Sequence, residues 1–283
     1  MRWVGRRQSG NVEDRRRVGG GTVAVGGGIG AVIVALIVLF LGGDPGTILN
    51  PEQDSYVPGS AASTTIAPQN DEMSQFVRVV LADTEDLWTQ QFRAMGRTYR
   101  PPTLVLFSGT VRTGSGVATS ATGPFYSPAD KKVFIDLSFY DELTTRFGAS
   151  GDFAQAYVIA HEVGHAVQDQ LGILDQVNTR QQRVSETEAN DLSVRLELQA
   201  DFLAGMWAHY TAGLSDVVQP GDIDEALNAA SAIGDDRIQM QSQGYVTPDS
   251  FTHGTSEQRS RWFKLGYETG DINRGDTFSA DPL

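Results

Sequence analysis

The stretch His161-Glu162-Val163-Gly164-His165 is the most informative part of this chain, because its spacing predicts a helix that carries metal ligands. Residues four positions apart on an α-helix lie above one another, so both histidines can reach one metal ion. Zn²⁺ favours imidazole ligands, and the adjacent glutamate can take a proton from a water molecule. The pattern predicts a helix over 153–171 that carries two zinc ligands and a general base. The alternative is an ordinary helix with two surface histidines.

The third ligand of a catalytic zinc has to come from elsewhere in the chain. There is no cysteine, and the other histidines are His209 and His253. Apolar residues repeat at helical spacing around Glu197 and Asp201, which places both acids beside a buried stripe where unpaired carboxylates are costly. We predict Glu197 as the third ligand and Asp201 as the group that orients a ligating histidine. A half-exposed acidic pair is the alternative, and the rival ligands are Glu186, Glu188 and Asp191.

Several long motifs in one order give the chain a family resemblance. They are RWVGRRQSGNVEDRR at 2–16, GPFY at 123–126, VFIDLSFYDEL at 133–143, ALNAASAIGDDR at 226–237 and PDSFTHGTSEQRSRWF at 248–263. With the histidine motif and ELQAD at 197–201, the chain resembles the bacterial membrane-anchored neutral zinc metallopeptidases, whose metal site is of the gluzincin type. The resemblance implies that His161, His165 and Glu197 bind Zn²⁺ and that Glu162 is catalytic. Relatives often carry cysteines where this chain has Ser115, Ser127, Phe202 and Gly275, so no disulfide bracing is expected.

An apolar stretch near the amino terminus predicts a membrane anchor. Residues 18–43 carry no charged side chain, and a bilayer is crossed by a helix of ~20 residues. The preceding arginines are expected to stay cytoplasmic by the positive-inside rule. We therefore predict a single-pass protein of the cell membrane with a cytoplasmic basic tail (1–20), a transmembrane helix (21–42), a flexible linker (43–73) and an extracytoplasmic zinc metallopeptidase-like domain (74–283). A cleaved signal peptide is the alternative.

The composition excludes some classes of binding partner and metal site. The net charge of −13 argues against binding to nucleic acid, and the absence of cysteine excludes a disulfide scaffold and a thiolate zinc site. The expected partner is a protein or peptide substrate, and the expected cofactor is Zn²⁺.

The expected fold class is α+β, a mostly helical zincin-like domain with a small sheet. Helices are predicted over 73–95, 183–212, 223–241 and 256–268, the last beginning with a capping box of Thr255 and Gln258. Strands are predicted over 103–107 and 132–136. The second strand is the candidate edge for pairing with an extended substrate, with an ordinary core strand as the alternative.

The remaining candidates are single side chains. His253 is predicted to stabilise the oxyanion of a tetrahedral intermediate, and Tyr126 is a second possible donor. A loop histidine bonded to backbone and a core tyrosine are the alternatives, and His209 is expected to be a helix histidine rather than a ligand. The predicted function is hydrolysis of peptide bonds with Glu162 as general base. The alternative is a membrane-tethered, zinc-containing binding module without turnover, which would not need Glu162.

Overall fold

A computed structural model describes residues 1–16 and 71–283. Its main sheet contains four short strands: β1 (Val12–Asp14), β2 (Thr103–Phe107), β5 (Phe125–Ser127) and β6 (Lys132–Asp136), in the order β1-β2-β6-β5. Strands β1, β2 and β6 are parallel to one another, and β5 runs antiparallel to β6. A separate antiparallel hairpin of β3 (Thr110–Thr113) and β4 (Gly116–Thr119) follows β2 in the chain.

Helices make up most of the described chain. They are α1 (Glu72–Ala94), α2 (Ser138–Thr145), α3 (Asp152–Leu171), α4 (Ile173–Gln181), α5 (Glu186–Ala212), α6 (Asp222–Ala232), α7 (Asp235–Gln243) and α8 (Ser256–Thr269). The predicted capping box of Thr255 and Gln258 begins α8, and a left-handed Gly172 ends α3. A mostly helical α+β fold with a small sheet is therefore confirmed.

One predicted helix is interrupted. The region 223–241 is divided between α6 and α7 by Ile233 and Gly234. A Cβ at Gly234 would lie 2.4 Å from the backbone nitrogen of Ser256, so only glycine allows this approach to the start of α8. The break turns the first residue of α7, Asp235, towards the loop that precedes α8.

Three glycines set how closely α5 packs against its neighbours. A Cβ at Gly164 in α3 would lie 3.2 Å from the carbonyl oxygen of Ala200, and one at Gly205 in α5 would lie 2.0 Å from that of Phe263 in α8. Gly266 meets the Phe202 carbonyl in the same way, also at 2.0 Å. The helix that carries the predicted third ligand is thus held in backbone contact with the helices on either side.

The strand at 132–136, predicted as the edge that pairs with substrate, does not lie at the edge of the sheet. Strand β6 lies between β2 and β5, so both of its hydrogen-bonding sides are occupied. Valine, phenylalanine and isoleucine at 133–135 are buried, as expected for a central strand. The strand that leaves one side without a partner strand among the described residues, and that borders α3, is β5.

Residues 1–16 belong to the folded domain and do not form a separate tail, which corrects the predicted division. β1 pairs with β2 through Val12, Glu13 and Asp14, and Arg6 makes two 2.8 Å hydrogen bonds to Asp83 in α1. These contacts place the basic segment and the domain in one fold.

The predicted transmembrane helix (21–42) lies outside the described residues, as does nearly all of the predicted linker (43–73). Within 1–16 and 71–283, no helix combines the length and the apolar character that crossing a bilayer requires.

Candidate active site

Three ligand-type side chains converge at the contact of α3 and α5. His161 and His165 project from one face of α3, and Glu197 faces them from α5. Nε2 of His161 is 3.1 Å from Oε2 of Glu197, and Nε2 of His165 is 3.4 Å from Oε1. All three side chains are buried, and their ligand atoms lie within 4.8 Å of one another. The structure therefore brings together the three predicted metal ligands as one potential metal site.

Each histidine has an oxygen acceptor on its other ring nitrogen. Nδ1 of His161 lies 2.9 Å from Oδ1 of Asp201, and Nδ1 of His165 lies 2.8 Å from Oε1 of Gln168. The Gln168 amide is held in turn by its hydrogen bond of 2.7 Å to the Leu196 carbonyl. A protonated Nδ1 leaves the Nε2 lone pair directed towards Glu197, the tautomer that a metal site needs.

The electrostatics of the group depend on its buried charges. Burial lowers the pKa of His161, but the carboxylates of Asp201 and Glu197 outweigh it and raise that pKa to about 10. Burial raises the pKa of Glu197, yet the two histidines hold it well below its usual range. Without a metal, a proton therefore takes the place of the cation between these groups.

Glu162 lies in the same cleft but outside the ligand cluster. Burial raises the pKa of its carboxyl group, against the lowering effect of His165 and His161. The backbone of Tyr126 in β5 lies close enough to this carboxyl group to lower its pKa as well. The free side of β5 thus faces Glu162, and a carboxylate in this position can accept and return a proton at neutral pH.

His253 lines the cleft from the loop before α8. Its Nδ1 lies 3.2 Å from Oδ1 of Asp235, and the other oxygen of Asp235 accepts from the backbone N–H groups of residues 252–254. Burial lowers the pKa of His253, but Asp235 outweighs it and raises that pKa. The arrangement holds the imidazole in one orientation, as its predicted role requires.

The other candidates lie elsewhere. The hydroxyl of Tyr126 donates to Asp169 at 2.5 Å, so the ring packs as a core tyrosine and its hydroxyl is not directed at the cleft. His209 is exposed near the end of α5 and bonds the Tyr267 carbonyl. The rival ligands are outside the cluster at the start of α5, where Glu186, Glu188 and Asp191 are exposed.

Asp201 is the centre of a buried network that the sequence only partly indicated. Its Oδ1 accepts from the Tyr157 hydroxyl at 2.5 Å and from His161, and Arg259 of α8 contacts both of its oxygens. The predicted orienting role of Asp201 matches this geometry. Sequence reasoning missed Arg259 and Gln168. Gln168 follows His165 by three positions, which was a usable signal, whereas only a tertiary contact reveals Arg259.

One wall of the cleft is apolar. The cavity beside the metal-type residues has a volume of about 110 Å³. The apolar wall is formed by side chains of α2, the segment after α2, α3, the α6–α7 connection and α7. The apolar members of this wall are Phe139, Phe147, Val158, Ile233 and Ile238. An apolar wall next to polar reactive groups is typical of a pocket that receives part of a substrate.

Comparison with known proteins gives one family. The family model described as "Putative neutral zinc metallopeptidase" matches residues 1–278. The chain is 51% identical to the uncharacterized protein YpfJ of Escherichia coli strain K12 over 284 residues, which cover 98% of this chain and 99% of YpfJ. It is 40% identical to the uncharacterized protein Rv2575 of Mycobacterium tuberculosis strain H37Rv over 259 residues, which cover 87% of this chain and 86% of Rv2575. No solved structure matches the chain significantly.

Proposed function

The chain belongs to this zinc metallopeptidase family, and on that premise we propose that it is a zinc-dependent peptidase with Glu162 as general base. The observation that carries the proposal is the convergence of His161, His165 and Glu197 beside Glu162 in one cleft. A structural zinc site is normally closed by four protein ligands and has no use for a buried carboxylate next to it. The substrate class that follows from the family is a protein or peptide.

The donor set fits zinc. Ligand atoms that are each 2.0–2.1 Å from one zinc ion stand about 3.3 Å apart. Nε2 of His161 is 3.1 Å from Oε2 of Glu197 and Nε2 of His165 is 3.4 Å from Oε1, so the carboxylate stands at a comparable separation from both imidazoles. His161, His165 and Glu197 would hold the ion, which leaves one position open. When bound, zinc polarises a carbonyl group and lowers the pKa of a water molecule.

The residues around this position supply the proton transfers and the charge stabilisation. Glu162 takes a proton from the attacking water and passes it to the leaving amine, and its raised pKa suits both steps. His253, held by Asp235, donates to the oxygen that becomes negative in the tetrahedral intermediate. The free side of β5 is suited to pair with an extended peptide.

Localisation in the cell membrane remains a prediction from the sequence, because residues 21–42 lie outside the described part of the chain. A zinc-containing binding module without turnover is the competing function, and the experiment below separates the two.

The test combines zinc analysis and peptide cleavage by the purified full-length chain. We expect about one zinc per chain in the wild type, with the metal lost or much weakened in His165→Ala and Glu197→Ala. Glu162→Gln should keep the zinc and lose roughly 10²–10⁴-fold in cleavage rate. His209→Ala, in an exposed histidine outside the cleft, is the matched control. A wild type without zinc would refute the peptidase, whereas zinc without cleavage of a mixed peptide library would favour the binding module.

A further inference from the structure

Arg259 is a buried cation that the proposed chemistry does not use. It lies in the first turn of α8, and only 2% of it is exposed. Its Nε donates to Oδ2 of Asp201 at 2.8 Å, and its Nη2 donates to Oδ1 at 3.1 Å. The guanidinium group therefore forms a bidentate interaction with both oxygens of one carboxylate, a geometry that fixes the carboxylate orientation.

The remaining contacts tie Arg259 to the rest of the site. Nη2 also reaches the Tyr157 hydroxyl at 3.3 Å, Nη1 donates to the Ile233 carbonyl at 3.3 Å, and Oε2 of Glu197 lies 4.0 Å away. One side chain thus joins α8 to α3, α5 and the α6–α7 connection. Its polar atoms are directed to protein groups, so its role is to position them and not to react.

We propose that Arg259 is a positioning residue that fixes the Asp201 carboxylate and, through it, the His161 imidazole that would bind zinc. The inference rests on the proposed function. Tyr157 and His161 both bond Oδ1 of Asp201, whereas Arg259 also donates to Oδ2, the second point that fixes the rotation of the carboxylate. With Arg259 on both oxygens, the orientation of Asp201 is set, and the imidazole follows.

The test measures zinc affinity and the visible spectrum of the Co²⁺-substituted full-length protein. Arg259→Met should weaken zinc binding by about 10–100-fold and change the cobalt spectrum, while Arg259→Lys should recover part of both. Arg261→Met is the control, because Arg261 is exposed two residues further along α8 and bonds only carbonyls of the chain end. In an Asp201→Asn background, the effect of Arg259→Met should largely disappear.

Each outcome decides the inference. Unchanged zinc affinity and an unchanged cobalt spectrum in Arg259→Met would overturn it, as would full additivity with Asp201→Asn. If Arg259→Met does not fold, Arg259→Lys carries the test, because it keeps the charge and loses the two-point grip; wild-type behaviour of that variant would overturn the proposal. A wild type that binds no metal refutes the proposed function itself, which is a different result.

A second, independent observation concerns residues 1–16. The carbonyl of Asn11 accepts from the Leu104 N–H at 2.9 Å, and the Arg15 N–H donates to the Leu106 carbonyl at 2.7 Å, so the β1–β2 ladder is bonded at both ends. Arg7 pairs with Glu85 and Asp86 of α1. Arg6 and Arg7, two of the arginines that predict a cytoplasmic tail, are therefore paired with carboxylates of α1.

Arg16 and Asp71, which flank the segment outside the described residues, lie next to each other. Arg16 pairs directly with Asp71, at 2.5 Å, across the gap. A stretch that crosses a bilayer once leaves its two flanks on opposite sides. We infer that residues 1–16 and 71–283 lie on the same side of any membrane that the chain contacts.

The chain has no cysteine, which makes this inference directly testable. Val4→Cys and Met240→Cys introduce single thiols at positions that are 80% and 53% exposed. Each full-length variant is treated in intact cells with a membrane-impermeant maleimide, and labelling after lysis is the control for reactivity. We expect the two positions to be labelled together or protected together. Labelling of one with protection of the other would overturn the inference.

Discussion

Gly164 lies against the backbone of Ala200, so that a Cβ on the glycine would stand 3.2 Å from the Ala200 carbonyl oxygen. This contact sits between the two histidines of α3 and the glutamate of α5. It sets the separation of the helices, and with it the 3.1 and 3.4 Å gaps between the ligand atoms. Glycine in mid-helix costs ~1 kcal/mol relative to alanine, which the close approach explains.

The glycine contacts predict two different responses to alanine. Gly205→Ala should lower the free energy of unfolding by about 1–3 kcal/mol, because its Cβ would overlap the Phe263 carbonyl at 2.0 Å. Gly164→Ala should change stability less, since its helix preference offsets a milder contact, but it should weaken zinc binding. Urea denaturation and zinc titration measure these effects. Gly10→Ala, with no atom within 4 Å, is the control, and an equal effect there would contradict the packing argument.

Zinc affinity should depend on pH through His161. In the metal-free protein, its pKa is raised from 6.5 to about 10, so zinc has to displace a proton. Affinity should therefore rise about tenfold per pH unit between these two values. The same proton stabilises the metal-free fold: its contribution is fully present below pH 6.5 and is lost as the pH rises towards about 10. Zinc titrations against a competing chelator, with thermal melts of the metal-free protein, would measure both trends, and a pH-independent affinity would show that His161 binds no extra proton.

His253 should contribute to the rate and not to metal binding. His253→Ala removes one donor to the oxyanion and should lower kcat by about 10²–10³-fold, with KM and zinc content changed much less. Asp235→Asn should give a smaller loss, because it weakens the hold on the imidazole without removing it. Steady-state kinetics with one peptide substrate measure both. An unchanged kcat in His253→Ala would exclude it from the reaction, and Tyr126→Phe should behave like the wild type.

The apolar wall should select the side chain next to the cleaved bond. Ile238→Asp places a charge in a cavity of about 110 Å³. For peptides with leucine or phenylalanine next to the cleaved bond, it should lower kcat/KM by about tenfold or more, compared with its effect on peptides that have lysine at that position. Met240→Asp in the same helix is the matched control, because Met240 is 53% exposed and does not line the cleft. If both variants keep the wild-type preference, the wall does not contact the substrate.

The structure brings the predicted site residues together where the sequence signal is local. Four-residue spacing places His161 and His165 on one face in any helix, and the capping box of Thr255 and Gln258 needs only its own turn. The position of Glu197 beside an apolar stripe predicts a ligand role, because a carboxylate buried there needs a partner, and this burial is visible in the sequence. The reading of 132–136 as an edge was wrong, because strand order depends on which strands meet and not on their composition.

Local sequence patterns therefore predict the helical spacing of the metal-type residues and the mostly helical fold class, and they identify the family. Three features become visible only in the folded chain: the hydrogen bonds of Arg259 to Asp201, the contact of Asp235 with His253 across the break at Gly234, and the pairing of β1 with the sheet. Periodicity and capping act over a few neighbouring residues and can be seen in the sequence. Contacts between distant segments depend on how closely helix backbones and strands approach, and only the packed chain sets those distances.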